Sequence, residues 1–165
     1  MKLVKLIDTT ILCELLEVPM KSSPSDAKRI KADFARFAKS DVRFILPLAA
    51  VIETGNHIAQ NGDGTIRREK GNALAKFVRQ SLKDESPFLK PPFWNKTDLE
   101  AWMSKFPDSA MREVGLGDVS ILHDFEVAKA RLKLPSAVSI EIWSKDNHLQ
   151  IVETDNERRN KPIDS

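Results

Sequence analysis

The stretch LVKLIDTTILCELLE, Leu3 to Glu17, decides how the rest of the chain is read. Leu3 to Ile7 is a short, largely apolar run that reads as a buried strand. Apolar residues then return as Ile11, Leu12, Leu15 and Leu16, the spacing of one helical face. Asp8 sits between the two, where a strand hands over to a helix. A single acid there says little. Its meaning depends on whether other acids arrive at the same end of the fold.

The same alternation continues outward. Ser23, Pro24 and Asp26 form a helix start, with Ile30, Phe34 and Phe37 as its inward stripe. Val42 to Leu46 is a second apolar strand, stopped by Pro47, and a helix follows with Leu48, Val51, Ile52, Ile58 and Ala59 on one face. Asn61 to Gly64 is a loop. The next helix carries Leu74, Phe77, Val78 and Leu82 as its apolar side. Residues 84–114 are rich in Pro and aromatics and read as an insertion packed on the domain. Within it, Thr97 with Glu100 resembles a capping box, Leu99, Trp102, Met103 and Phe106 share a face, and Pro107 is expected to close the helix. A helix with Val119, Leu122, Phe125 and Leu132 inward follows. Val138, Ile140 and Ile142 alternate with Ser139 and Glu141 as a strand with one solvated face. QIVET, residues 150–154, reads as a last strand, and residues 155–165 as a polar tail. Strands alternating with helices predict an α/β fold: a mainly parallel sheet in a three-layer α/β/α sandwich, one domain over residues 1–154.

Bulk properties narrow the function classes. At 165 residues, with 41% apolar and 30% charged residues, the chain suits a globular domain with a sizeable core. The net charge of +2 declares no polyanion partner by itself. Charge is unevenly spread, however. Arg67, Arg68, Lys70, Lys76, Arg79 and Lys83 face only Glu69 between Thr65 and Lys83, and ERRNK forms a second basic cluster near the C-terminus. Cys13 is the single cysteine, which excludes an internal disulfide framework and a cysteine-rich zinc site. No apolar run approaches the ~20 residues of a membrane span and the N-terminus resembles no secretory signal, so a cytoplasmic protein without membrane association is expected.

Asp8 follows the first strand, Glu53 lies in the helix after the second, Asp118 opens a later helix, and Asp146 follows the strand at Val138 to Trp143. In a parallel sheet all four are delivered to one rim, where such folds bind ligands. Each also has a plainer explanation. Asp8 and Asp118 suit helix N-caps, Asp146 suits a turn, and Glu53 suits a solvated helix face. Capping does not account for four acids at one rim. Clustered carboxylates repel one another, and a divalent cation removes the conflict. Oxygen-only donors suit Mg²⁺ or Mn²⁺, which can support phosphodiester hydrolysis. Basic helices beside such a pocket would hold a phosphate backbone, with Arg67, Arg68, Lys70, Lys76 and Arg79 as the candidates. His57, His123 and His148 are read as surface or packing residues.

Four segments resemble the motifs of the PIN-domain family, particularly its toxin-type (VapC-like) ribonucleases: LIDTTIL, LPLAAVIETGN, GLGDVSIL and IWSKDNHL, in that order. The resemblance spans roughly Leu3 to Val152. It implies a metal-dependent endoribonuclease in which Asp8, Glu53 and Asp118 hold Mg²⁺ or Mn²⁺, Asp146 completes the pocket, and Thr9 and Ser144 orient carboxylates. It further suggests RNA as substrate, a small antitoxin partner and a homodimer. The chain departs from the family in its bulky Val119, Ile121 and Leu122 and in Thr10; the bulky third motif and the aromatic insertion motivate an alternative reading as a non-catalytic PIN-like module binding RNA or protein. A phosphoacceptor domain would want paired acids after the first strand, and a phosphatase of the Asp-x-Asp kind would want an acid at position 10. Neither pattern is present.

Overall fold

The computed structural model describes residues 3–92, 94–131, 138–146 and 149. Its centre is β1 (Leu3–Ile7), flanked by β2 (Val42–Ile45) and β3 (Ser139–Trp143), all parallel, in the order β2-β1-β3. Val4, Leu6 and Ile7 are fully buried because β1 has neighbours on both edges and helices on both faces.

Strand alternation divides the core into two layers. On one face Ile7, Val42 and Phe44 pack with Ile11, Leu12 and Leu16 of α1 (Thr9–Leu16) and Ile30 of α2 (Pro24–Ala38). Phe34 of α2 stacks on Phe44 with centroids 4.6 Å apart, which fixes α2 over β2. On the other face Val4, Leu6, Ile45 and Ile142 pack with Ile121, Phe125 and Ala128 of α6 (Leu116–Arg131). The outcome is an α/β/α arrangement around a parallel sheet.

α3 (Leu48–Ala59) differs from the expected pattern. It buries Ala49, Ala50, Thr54 and Ile58 and leaves Ile52 49% exposed. Ala49 joins one core layer while Ala50 and Ile58 join the other, so α3 crosses the end of the sheet. Small alanines permit that close approach on two flanks, and Ile52 is left at the rim. α4 (Gly64–Ser81) starts on the Asp63 cap, and Leu82, expected inward, is 45% exposed just beyond its end.

The 84–114 segment first reinforces the sheet edge: Phe44 N–H donates to Pro87 O and Leu89 N–H to Phe44 O, each at 2.8 Å. It then forms α5 (Lys96–Met111) against α6. The capping box is Asn95 with Asp98, not Thr97 with Glu100, consistent with Asn being a strong N-cap. Pro107 lies inside α5 rather than ending it, because buried Trp102 and Ser109 anchor the helix on either side. α5 packs chiefly on α6, and Leu99 and Met103 stay about half exposed at 50% and 45%. In α6 burial extends to Ser120, Ile121 and Asp124, since the sheet, α3 and α5 all pack on it. Glu141, expected on a solvated face, is half-buried and pairs with the buried Lys5 of β1. Leu132, His148, the QIVET strand and the C-terminal tail lie outside the described residues. No helix among the described residues is long and apolar enough to cross a membrane.

Candidate active site at the carboxyl ends of the strands

β2→β3 passes over β1, so the strand order reverses direction beside β1 and opens a crevice at the carboxyl ends of β1 and β3. Asp8 leaves β1 into this crevice and is 3% exposed. It does cap α1, accepting from the Thr10 N–H at 3.4 Å. Its carboxylate takes more than a cap requires: Thr10 Oγ1 donates to Asp8 Oδ2 at 2.8 Å and Ser144 Oγ donates to the same oxygen at 2.7 Å.

Both hydroxyls are held in turn by the loop after β3. Lys145 N–H donates to Thr10 Oγ1 at 3.0 Å and Asp146 N–H donates to Ser144 Oγ at 2.8 Å. Each hydroxyl therefore spends its proton on Asp8 and its lone pair on a loop amide. This ties β3, the loop and α1 into one polar unit.

Glu53 reaches the same region from α3. Thr9 Oγ1 donates to Glu53 Oε2 at 2.8 Å, joining α1 to α3 at the rim. Gly117 lies where a Cβ would stand 3.5 Å from Glu53 Oε2, so the first turn of α6 backs onto this carboxylate. Asp118 occupies that turn. Its carboxyl is pushed above the ordinary carboxylate range, first by burial and then by the charges of Asp8, Asp146 and Glu53, with a Gly115 backbone hydrogen bond pulling the other way. Asp118 is thus within electrostatic reach of the three other acids. Burial, joined by the charges of Glu53 and Asp8, raises the Cys13 thiol to about 11.

The four acids share a neighbourhood without forming a closed coordination shell. Among the described residues, no three His, Cys, Asp or Glu side chains are drawn together as a ready-made metal group. The donor chemistry fits a hard dication: mutually repelling carboxylates and hydroxyls, with no thiolate or imidazole among them. On the flank, α4 packs on α3, with Leu74 near Gly55. It carries exposed Arg67, Arg68, Lys76 and Arg79, while Lys70 is half-buried and pairs with Glu69.

Sequence reading left out two contributors. Thr10 bonds Asp8 as directly as Ser144 does, and its signal was the second hydroxyl of the Asp-Thr-Thr run. Lys145 had no local signal, since its partners lie more than a hundred residues away. Of the histidines, His123 bonds Asp98 at 2.9 Å, and His57 Nδ1 is buried without a partner among the described residues.

Neither a protein-family model nor a curated protein sequence matches the chain. A solved structure does. The chain resembles one in the crystal structure of VapBC2 from Rickettsia felis bound to a DNA fragment from their promoter, with a TM-score of 0.51 and 10% identity over 86% of this chain and 99% of that one. At that identity the likeness is one of fold, and it extends over nearly all of both chains.

Proposed function

We propose that this protein is a metal-dependent endoribonuclease with a PIN-like fold, acting as the toxin of a toxin–antitoxin pair. The observation that supports the reading is the Asp118 carboxyl, raised first by burial and then by the charges of Asp8, Asp146 and Glu53. Each carboxylate there disfavours ionisation of the next, a conflict that a divalent cation relieves. The VapBC2 likeness supports a toxin–antitoxin setting and a small antitoxin partner. A homodimer accords with the same family resemblance.

In this reading Asp8, Glu53 and Asp118 hold Mg²⁺ or Mn²⁺, and Asp146 completes the pocket. The ion supplies charge neutralisation and Lewis acidity toward a scissile phosphate. The chain's own residues do the rest. Thr10 and Ser144 fix the Asp8 carboxylate through its Oδ2, and Thr9 fixes Glu53. Arg67, Arg68, Lys70, Lys76 and Arg79 attract the RNA backbone along α4.

The direct experiment is cleavage of RNA with Mg²⁺ or Mn²⁺ by wild type, Asp8→Asn and Asp118→Asn. Loss of cleavage in both variants is expected; equal activity in all three rejects the assigned roles. The bulky Val119, Ile121 and Leu122 and the aromatic insertion at residues 84–114 motivate a second reading, a non-catalytic RNA- or protein-binding module. Calorimetry separates them: RNA binding without Mn²⁺ binding selects the module.

A further inference from the structure

Lys145 stands between Ser144 and Asp146 in the loop leaving β3. Its ammonium donates to Glu14 Oε1 and to Asp26 Oδ2, both at 2.6 Å. Glu14 is a fully buried carboxylate on the inner side of α1. Its other oxygen takes the Ser23 backbone N–H at 3.1 Å. Asp26 lies in the first turn of α2. A buried carboxylate is costly unless paired and hydrogen-bonded, so this placement needs the cation.

The consequence is a tie between the loop and two helices. The Lys145 side chain is anchored to α1 and α2 while its backbone N–H holds Thr10 Oγ1. The residues on either side of it are the ones that bond Asp8 and extend the rim. The geometry points to Lys145 as a positioning residue: its clasp on Glu14 and Asp26 fixes where Ser144 and Asp146 stand relative to Asp8. The catalytic consequence rests on the proposed nuclease function; the clasp itself does not.

The test compares wild type, Lys145→Arg and the double variant Glu14→Gln/Lys145→Met, which removes the clasp without leaving a buried unpaired charge. Amide hydrogen exchange reads the loop. Mn²⁺ calorimetry and the kcat-against-KM split for RNA cleavage read the site. In the double variant the Lys145 and Asp146 amides are expected to exchange at least about tenfold faster while the β1 amides are unchanged. Mn²⁺ affinity and kcat are expected to fall about tenfold, the scale for groups that orient ligands, with KM little changed. Lys145→Arg should restore all of these to within about twofold. Unchanged protection at Lys145 and Asp146 overturns the clasp. Faster exchange with unaltered Mn²⁺ affinity and kcat overturns the positioning role. A wild type that neither binds Mn²⁺ nor cleaves RNA refutes the nuclease reading and the catalytic consequence with it, while the exchange result still decides the clasp.

Discussion

Two regions of this molecule hold acids that resist ionisation, and they are built in opposite ways. At the sheet rim, Asp118 is raised by burial together with three neighbouring carboxylates, and hydroxyls from α1 and the β3 loop grip Asp8 and Glu53. In the seam between α5 and α6, Asp124 is 1% exposed and raised to about 7, first by burial and then by Asp98. Its surroundings are aromatic. Trp94 and Trp102 meet edge to face at 4.3 Å between centroids, and Trp102 also lies against His123. The Trp94 indole and Arg131 favour the charged form of Asp124, yet Asp124 Oδ2 and Trp94 Nε1 both lack a well-formed hydrogen bond among the described residues. Asp98 is the contrasting partner, held low chiefly by its hydrogen bond with His123. A raised carboxyl alone therefore does not mark a site. The rim adds convergent donors and several like charges; the seam adds only desolvation and one acid.

The comparison breaks first at Asp8. Asp8→Asn keeps a good N-cap, so the fold should survive while cleavage falls by roughly a thousandfold or more, about 4 kcal/mol of barrier. Circular dichroism with a metal-dependent cleavage assay checks both halves. An active Asp8→Asn protein would make the rim as structural as the seam.

Asp124→Asn is the mirror experiment. The native carboxyl titrates near 7 against 3.8 for the ordinary group, so the native state holds its proton longer than the unfolded chain. Stability should therefore decline as pH rises from about 4 to about 7, by about 4 kcal/mol. The Asn variant should be more stable than wild type above pH 7 by that amount, lose the advantage below about pH 4, and leave cleavage unchanged. Urea titrations at several pH values measure it.

Smaller effects sharpen the contrast. Ser144→Ala removes a donor to Asp8 and should lower cleavage about 10–100-fold with little change in RNA affinity. Neutralising Arg67 or Arg68 should weaken RNA binding with little sequence preference. Each cation withdrawn from the RNA backbone should reduce the salt slope by about 0.7 for a single strand, and filter binding at several ionic strengths reads it.

Much of this was legible in the chain. Leu3–Ile7, Val42–Leu46 and the helix start at Ser23-Pro24 are local signals, because short apolar runs, Pro and cap residues act through their own neighbours. The order of acids after successive strands was legible for the same reason. The inward faces of α3, α5 and α6 were not, since each is set by how many partners pack around the helix: two layers at α3, one seam at α5, three elements at α6. The capping box at Asn95 was missed because a Thr–Glu pair two residues later shows the same local spacing.

What the sequence by itself determined was the alternation of strands and helices and an acid at each strand-linked junction, both consequences of periodicity and backbone preference. What only the tertiary structure decided was which groups meet. Thr10 and Ser144 share one oxygen of Asp8, Lys145 reaches Glu14 across the fold, and Asp124 is buried beside Trp94. Those pairings join residues far apart along the chain, and no local pattern records a distance that only the closing of the sheet and the packing of its helices creates.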